Sequence, residues 1–192
     1  MTPIVSYDKI YVYLTKVRKC AIVMAEVFEE RGPALFKVGD KVVYPMHGAG
    51  VIEAIEEKEV LGEKKQYYVL HFPIGDMKVM IPCATCREAG LREVISKEGA
   101  QKVFRILKEN GVAMSSNWNR RYRANLEKIK TGDIYEVAEV VRNLIQRDKE
   151  KGLSSGERKM LQNARQILIS ELAMAIETKE EEARTLVDDA LA

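Results

Sequence analysis

Phe36-Lys37-Val38-Gly39-Asp40-Lys41-Val42-Val43-Tyr44-Pro45-Met46-His47-Gly48 is the stretch from which the fold is read. Its run Lys41–Tyr44 is β-branched and aromatic and lies between glycine-containing turns, the pattern of a short strand. Three similar runs follow at residues 50–60, 66–72 and 77–81. His47-Gly48-Ala49-Gly50, Leu61-Gly62-Glu63 and Pro73-Ile74-Gly75-Asp76 supply the turns between them. Several short strands packed into so little chain predict a small antiparallel β-barrel of the SH3 or Tudor type.

Beyond Leu91 the apolar spacing changes from two to about three and a half residues, and helices are expected almost without interruption. One is predicted over residues 99–109, a second over 117–131 and a third over 133–152. Ser154-Ser155-Gly156-Glu157 reads as a capping box opening a fourth, and residues 178–181 as a second such box before a short acidic helix. Before Phe36, Ile10, Val12 and Leu14 alternate with Tyr11 and Tyr13 as in a strand, and Glu29-Glu30-Arg31-Gly32-Pro33 breaks the pattern. The expected class is α+β: an extension over residues 1–34, a small barrel over 35–92, and a compact all-α domain over 93–192.

With 46% hydrophobic and 31% charged residues in 192, the composition is that of a globular chain and excludes a disordered or collagen-like one. Residues 20–28 form the longest apolar stretch, interrupted by Glu26 and well short of the roughly 18 residues of a membrane span. Three cysteines do not make a secretory disulfide framework, and the N-terminus lacks the order of a signal peptide, so a cytoplasmic location without membrane partners is expected. The net charge of +2 is unevenly spread: residues 97–165 carry sixteen Lys and Arg against nine Asp and Glu, and residues 166–192 carry two against seven. A basic middle region suggests nucleic acid, although many helical faces are basic without binding any.

Cys83-Ala84-Thr85-Cys86 has the spacing of a thiol pair that shares a metal or forms a disulfide. Its only potential co-ligands are His47, His71 and the distant Cys20, none at finger spacing, and the pair follows a strand rather than standing in a βαβ unit. It therefore reads as incidental small semi-buried residues ahead of a metal or redox site. Two histidines and no G-x-S-x-G, H-E-x-x-H or phosphate loop argue against an enzyme, a small-molecule substrate or a cofactor.

Ser115-Ser116-Asn117-Trp118-Asn119-Arg120-Arg121-Tyr122-Arg123 concentrates the only tryptophan and three arginines at a predicted helix start. On a helical wheel Trp118, Tyr122, Leu126 and Ile129 fall within about 80° of one another, which would make Trp118 core. Against that, cations in a first turn oppose the helix dipole, so Arg120, Arg121 and Arg123 call for an external anion. Phosphate contacts beside an aromatic wedge suit a minor-groove or single-strand reader.

Taken together with residues 36–48, the segments Asn117-Trp118-Asn119-Arg120-Arg121-Tyr122, Ala138-Glu139-Val140-Val141-Arg142 and Gly152-Leu153-Ser154-Ser155-Gly156-Glu157-Arg158-Lys159-Met160-Leu161 resemble the CarD/CdnL family of bacterial transcription regulators, in the family's order. The resemblance implies a Tudor-like domain that binds the RNA polymerase β subunit, shared with the transcription-repair coupling factor, and a helical DNA-binding domain. It further implies an initiation regulator, nucleoid-associated through polymerase, that stabilises the promoter open complex by a tryptophan in the minor groove at the upstream bubble edge. Trp118 stands in that tryptophan's place. The expected DNA-binding set is Asn117, Trp118, Arg120, Arg121, Arg123, Lys128, Lys130, Arg158 and Lys159, and the expected polymerase-binding set is Lys58, Val60, Met80 and Pro82. The alternative is a protein-interaction scaffold with Trp118 in its core. Residues 1–34 are foreign to the family pattern, with Leu35 a candidate start, and Cys83 and Cys86 lie where the pattern has no fixed cysteines.

Overall fold

Alternation of apolar and polar residues from Lys41 onward becomes hydrogen-bonded sheet in the computed structural model, which describes residues 35–60 and 62–192. The strand expected around Ile10–Leu14, and Cys20, lie outside the described residues. Strands β1 (Lys41–Tyr44), β2 (Gly48–Val60), β3 (Glu63–Phe72), β4 (Met77–Pro82) and β5 (Arg92–Glu93) pair antiparallel in the order β4-β3-β2-β1-β5. The sheet is not closed: β4 and β5 are its two edges and do not pair with each other, so the expected barrel is replaced by an open five-stranded sheet. A register shift between Ile52 and Ala54 divides β2. Ile52 is buried, whereas the distal residues Glu56 to Val60 are exposed on a hairpin arm. Val42, Ile52, Leu70, Phe72 and Ile81 form the sheet's core with Tyr68, whose hydroxyl accepts the Phe36 N–H at 3.0 Å.

Five helices follow: α1 (Lys97–Lys108), α2 (Trp118–Lys130), α3 (Ile134–Lys151), α4 (Ser155–Ala175) and α5 (Glu180–Leu191). Each of the first four begins where a small polar side chain accepts a first-turn N–H: Ser96 from Gly99, Asn117 from Arg120, Asp133 from Tyr135 and Ser154 from Glu157. Gly132 and Gly152, both at positive φ, follow α2 and α3. The second predicted capping box does not form. Lys179 is the N-cap of α5 and makes no side-chain cap bond, because the Thr178 hydroxyl bonds the Glu182 carboxylate instead. Val137, Val141 and Leu144 of α3 share one apolar core with Ala164, Leu168 and Leu172 of α4. No helix among the described residues is long and apolar enough to cross a membrane.

Sheet and helices meet on α4, and Phe36–Ala192 forms one unit. Gly48 holds φ +90° against that helix, and a Cβ there would collide with Ser170 Oγ. The same hydroxyl accepts the Ala49 N–H at 2.9 Å and donates to Ile167 O at 2.7 Å. One residue on, Glu171 is fully buried and takes two bonds from Arg92 of β5, at 2.6 and 2.8 Å, and one from the Ile95 N–H at 3.2 Å. Arg92 also donates to Gly132 O, at 3.1 and 2.6 Å, so a single guanidinium ties β5 to α4 and to the turn after α2. Because removing the guanidinium strands a fully buried carboxylate, Arg92→Ala should lower unfolding free energy by about 3 kcal/mol in chemical denaturation. A loss under about 1 kcal/mol would show that the joint does not depend on this pair.

Candidate nucleic-acid interface

The first turns of α2 and α4, although 36 residues apart in sequence, come together at one place on the surface. Trp118 is the first residue of α2, and its ring stacks on Tyr122, one turn further along, with centroids 5.2 Å apart and planes at 27°. Its Nε1–H donates to Ser154 Oγ, the N-cap of α4, at 2.8 Å. The residue is 43% exposed, so Trp118 is no part of the core. Ile129, on the same helical stripe, is buried. The difference lies in side-chain direction: helical side chains lean toward the N-terminus, so a ring on the first residue overhangs the helix end.

Arg121 is the correction to the expected DNA-binding set. It is 3% exposed, and its Nε donates at 2.6 Å to Glu157 Oε1, itself 1% exposed. A second nitrogen bonds the carbonyls of Ser115 at 2.7 Å and Ser116 at 3.2 Å. The anion this arginine faces is therefore internal, the Glu157 carboxylate. Burial pushes the Glu157 carboxyl up, but hydrogen bonds from Arg121 and from the Ser154 backbone and hydroxyl outweigh this and hold it below the ordinary carboxylate range. Arg147 also approaches Glu157, at 3.9 Å, and its buried Nε has no hydrogen-bond partner among the described residues.

Among the other candidates, Asn117 is exposed but spends its side-chain oxygen on the Arg120 N–H at 3.0 Å. Arg120 and Arg123 on α2, and Arg158 and Lys159 in the opening turns of α4, are exposed with no ion pair among the described residues. Lys128 and Lys130 are already paired, with Glu139 at 2.5 Å and Glu127 at 3.1 Å. Four exposed cations with no ion pair among the described residues thus lie in the opening turns of the two helices whose N-termini hold the indole, and both helix dipoles add positive potential at those ends. Sequence reasoning read Ser154 and Glu157 only as a helix cap and passed over their support of Trp118. The capping box was the available signal, and nothing local announced its partner 36 residues away.

On the sheet, Met80 and Pro82 lie on β4, an edge strand whose outer side pairs with nothing among the described residues. Met80 is half-buried and outside both apolar cores, and its sulfur lies 3.1 Å from Lys58 Nζ on β2. Val60 is 46% exposed further out on the hairpin arm. Cys83 opens a 3-10 turn directly after β4, and Cys86 is buried in the sheet's core. Both are free thiols, and burial, followed by the nearby Cys86, pushes the Cys83 thiol up. His47 stacks on Tyr44 and His71 bonds Asp76, and no group of three ligating side chains suited to a metal occurs among the described residues.

Two family models match the chain: the CarD-like/TRCF RID domain over residues 36–95 and the CarD C-terminal domain over residues 102–188. A protein of Bacillus subtilis strain 168 bearing the name "Putative transcription factor YdeB" is 49% identical over 138 residues, covering 72% of this chain and 90% of its own length.

Arg121→Ala should cost about 3–5 kcal/mol in unfolding free energy, since it leaves Glu157 buried without its cation. Arg120→Ala and Arg123→Ala, on exposed and unpaired side chains, should stay within about 0.5 kcal/mol of wild type. Thermal or denaturant melts of the three variants make the comparison, and equal losses in all three would remove the distinction between internal and outward arginines.

Proposed function

Since the chain belongs to the CarD/CdnL family of transcription regulators, we propose that it acts at promoters by binding RNA polymerase through its sheet and promoter DNA through the joined N-termini of α2 and α4. The exposed, hydrogen-bonded indole of Trp118 at the N-termini of α2 and α4 carries this reading, because an aromatic face beside helix ends that attract phosphate suits a wedge that unstacks a base step. Arg120, Arg123, Arg158 and Lys159 contact phosphates, which position the protein without reading bases. The indole enters the minor groove at the upstream edge of the melted region and takes the place of a lost base stack. Substituting for that stack is worth about 1–3 kcal/mol, all of it favouring the open state over the closed duplex. Lys128 and Lys130, held by Glu139 and Glu127, contribute less.

The β subunit of polymerase is the proposed protein partner, and β4 the proposed docking edge. An edge strand offers unpaired N–H and C=O groups to an incoming strand, with side chains on either side supplying specificity. Met80 provides a soft, adaptable contact there, flanked by Lys58, with Pro82 ending the ladder and Val60 reaching outward. The reading places the protein in the cytoplasm, on the nucleoid through polymerase, with no reaction of its own.

Trp118→Ala tests the DNA half. Losing the Tyr122 stack and one hydrogen bond should cost about 1–2 kcal/mol of folding stability, against the 3–5 kcal/mol of a core truncation. Affinity for the β subunit should be unchanged, and most of the open-complex lifetime that the protein confers should disappear. A variant that extends open-complex lifetime as well as wild type does would overturn the wedge.

A further inference from the structure

Trp118 has one polar group, a donor, and in the free protein that group is already engaged by Ser154 Oγ at 2.8 Å. The Ser154 hydroxyl has one proton and two lone pairs. Its proton goes to Glu157 Oε2 at 2.8 Å, and its lone pairs receive the indole N–H and the Glu157 N–H, the latter at 3.3 Å. The hydroxyl is thereby saturated and its orientation set. Glu157 Oε2 also accepts the Ser154 N–H at 3.1 Å, while Oε1 is held by the buried Arg121. The ring is held on its edge by Ser154, on one face by Tyr122 and beside Gly156, and less than half of the residue's surface is open to solvent.

We propose that Ser154 is a positioning residue for Trp118, fixing the exposed indole in one orientation before DNA is met. The proposal rests on Trp118 being the wedge. An exposed indole without this bond would occupy several rotamers, and binding would have to order it at the expense of affinity. Arg121 and Glu157 act through Ser154 and touch no DNA.

Ser154 is also the N-cap of α4, so the test must separate the two roles. Glycine at an N-cap loses little helix stability relative to serine, yet it offers the indole no acceptor, whereas threonine keeps both the cap and the hydroxyl. Trp118 is the only tryptophan, so the fluorescence anisotropy and acrylamide quenching of the full chain report on this ring alone. In Ser154→Gly the melting midpoint should stay close to wild type, while the ratio of undocked to docked rings rises about fivefold, the equivalent of one ordinary hydrogen bond. The open-complex lifetime conferred by the protein should fall toward that of Trp118→Ala, and Ser154→Thr should restore ring order and lifetime together. Unchanged anisotropy in Ser154→Gly would overturn the proposal, as would a mobile ring with wild-type lifetime. A collapse of the melting midpoint would assign Ser154 to the helix cap instead. Failure of the wedge itself shows separately, as full lifetime in Trp118→Ala.

Discussion

The ion pair between Arg121 and Glu157, at 2.6 Å with both side chains almost wholly buried, is the contact on which the candidate interface depends. Burying two charges rarely adds net stability over an apolar pair of similar size, so its contribution is geometric. Arg121 draws the carbonyls of Ser115 and Ser116 onto the start of α2, and Glu157 organises the cap of α4. The two first turns are thereby held at one place, with Trp118 lying against both. An arginine facing inward lets Arg120 and Arg123 face outward. The positive potential of two helix ends is then met on one side by a carboxylate and on the other left for an external anion.

A second constraint acts where the sheet rests on α4. Ser170 and Glu171, adjacent on one helix, receive the start of β2 and Arg92 respectively, so sheet and helices form a single unit rather than two beads on a linker. On the proposed function this matters, because a factor that grips polymerase with one surface and DNA with another transmits position only as well as its joint resists motion. The cost falls on Gly48, where backbone at φ +90° approaches Ser170 too closely for any side chain.

Much of this fold was legible because its signals are local. The strand Lys41–Tyr44, the glycine stops after α2 and α3, and the capping box at Ser154 are each decided within a few residues. β5, two residues long, carries no periodicity and went unread. The acidic run after Thr178 has the spacing of a capping box, but Lys179 takes the cap, since the Thr178 hydroxyl finds a side-chain acceptor at Glu182. At the site, the wheel grouped Trp118 with Tyr122, on which its ring stacks, and with Ile129, which is buried without it, because a wheel cannot represent a ring overhanging a helix end. Arg121 looked like its neighbours because charge is visible in sequence, whereas its carboxylate partner is 36 positions away.

The central claim, that Trp118 sits at the upstream edge of the promoter bubble while the sheet holds polymerase, is tested most directly by hydroxyl-radical footprinting. Purified polymerase would be bound to a promoter alone, with the full chain, and with Trp118→Ala. The account predicts added protection confined to the upstream edge of the melted region, present with the wild-type chain and weakened at that edge with the variant. Identical footprints with and without the protein, or added protection elsewhere on the promoter, would contradict it.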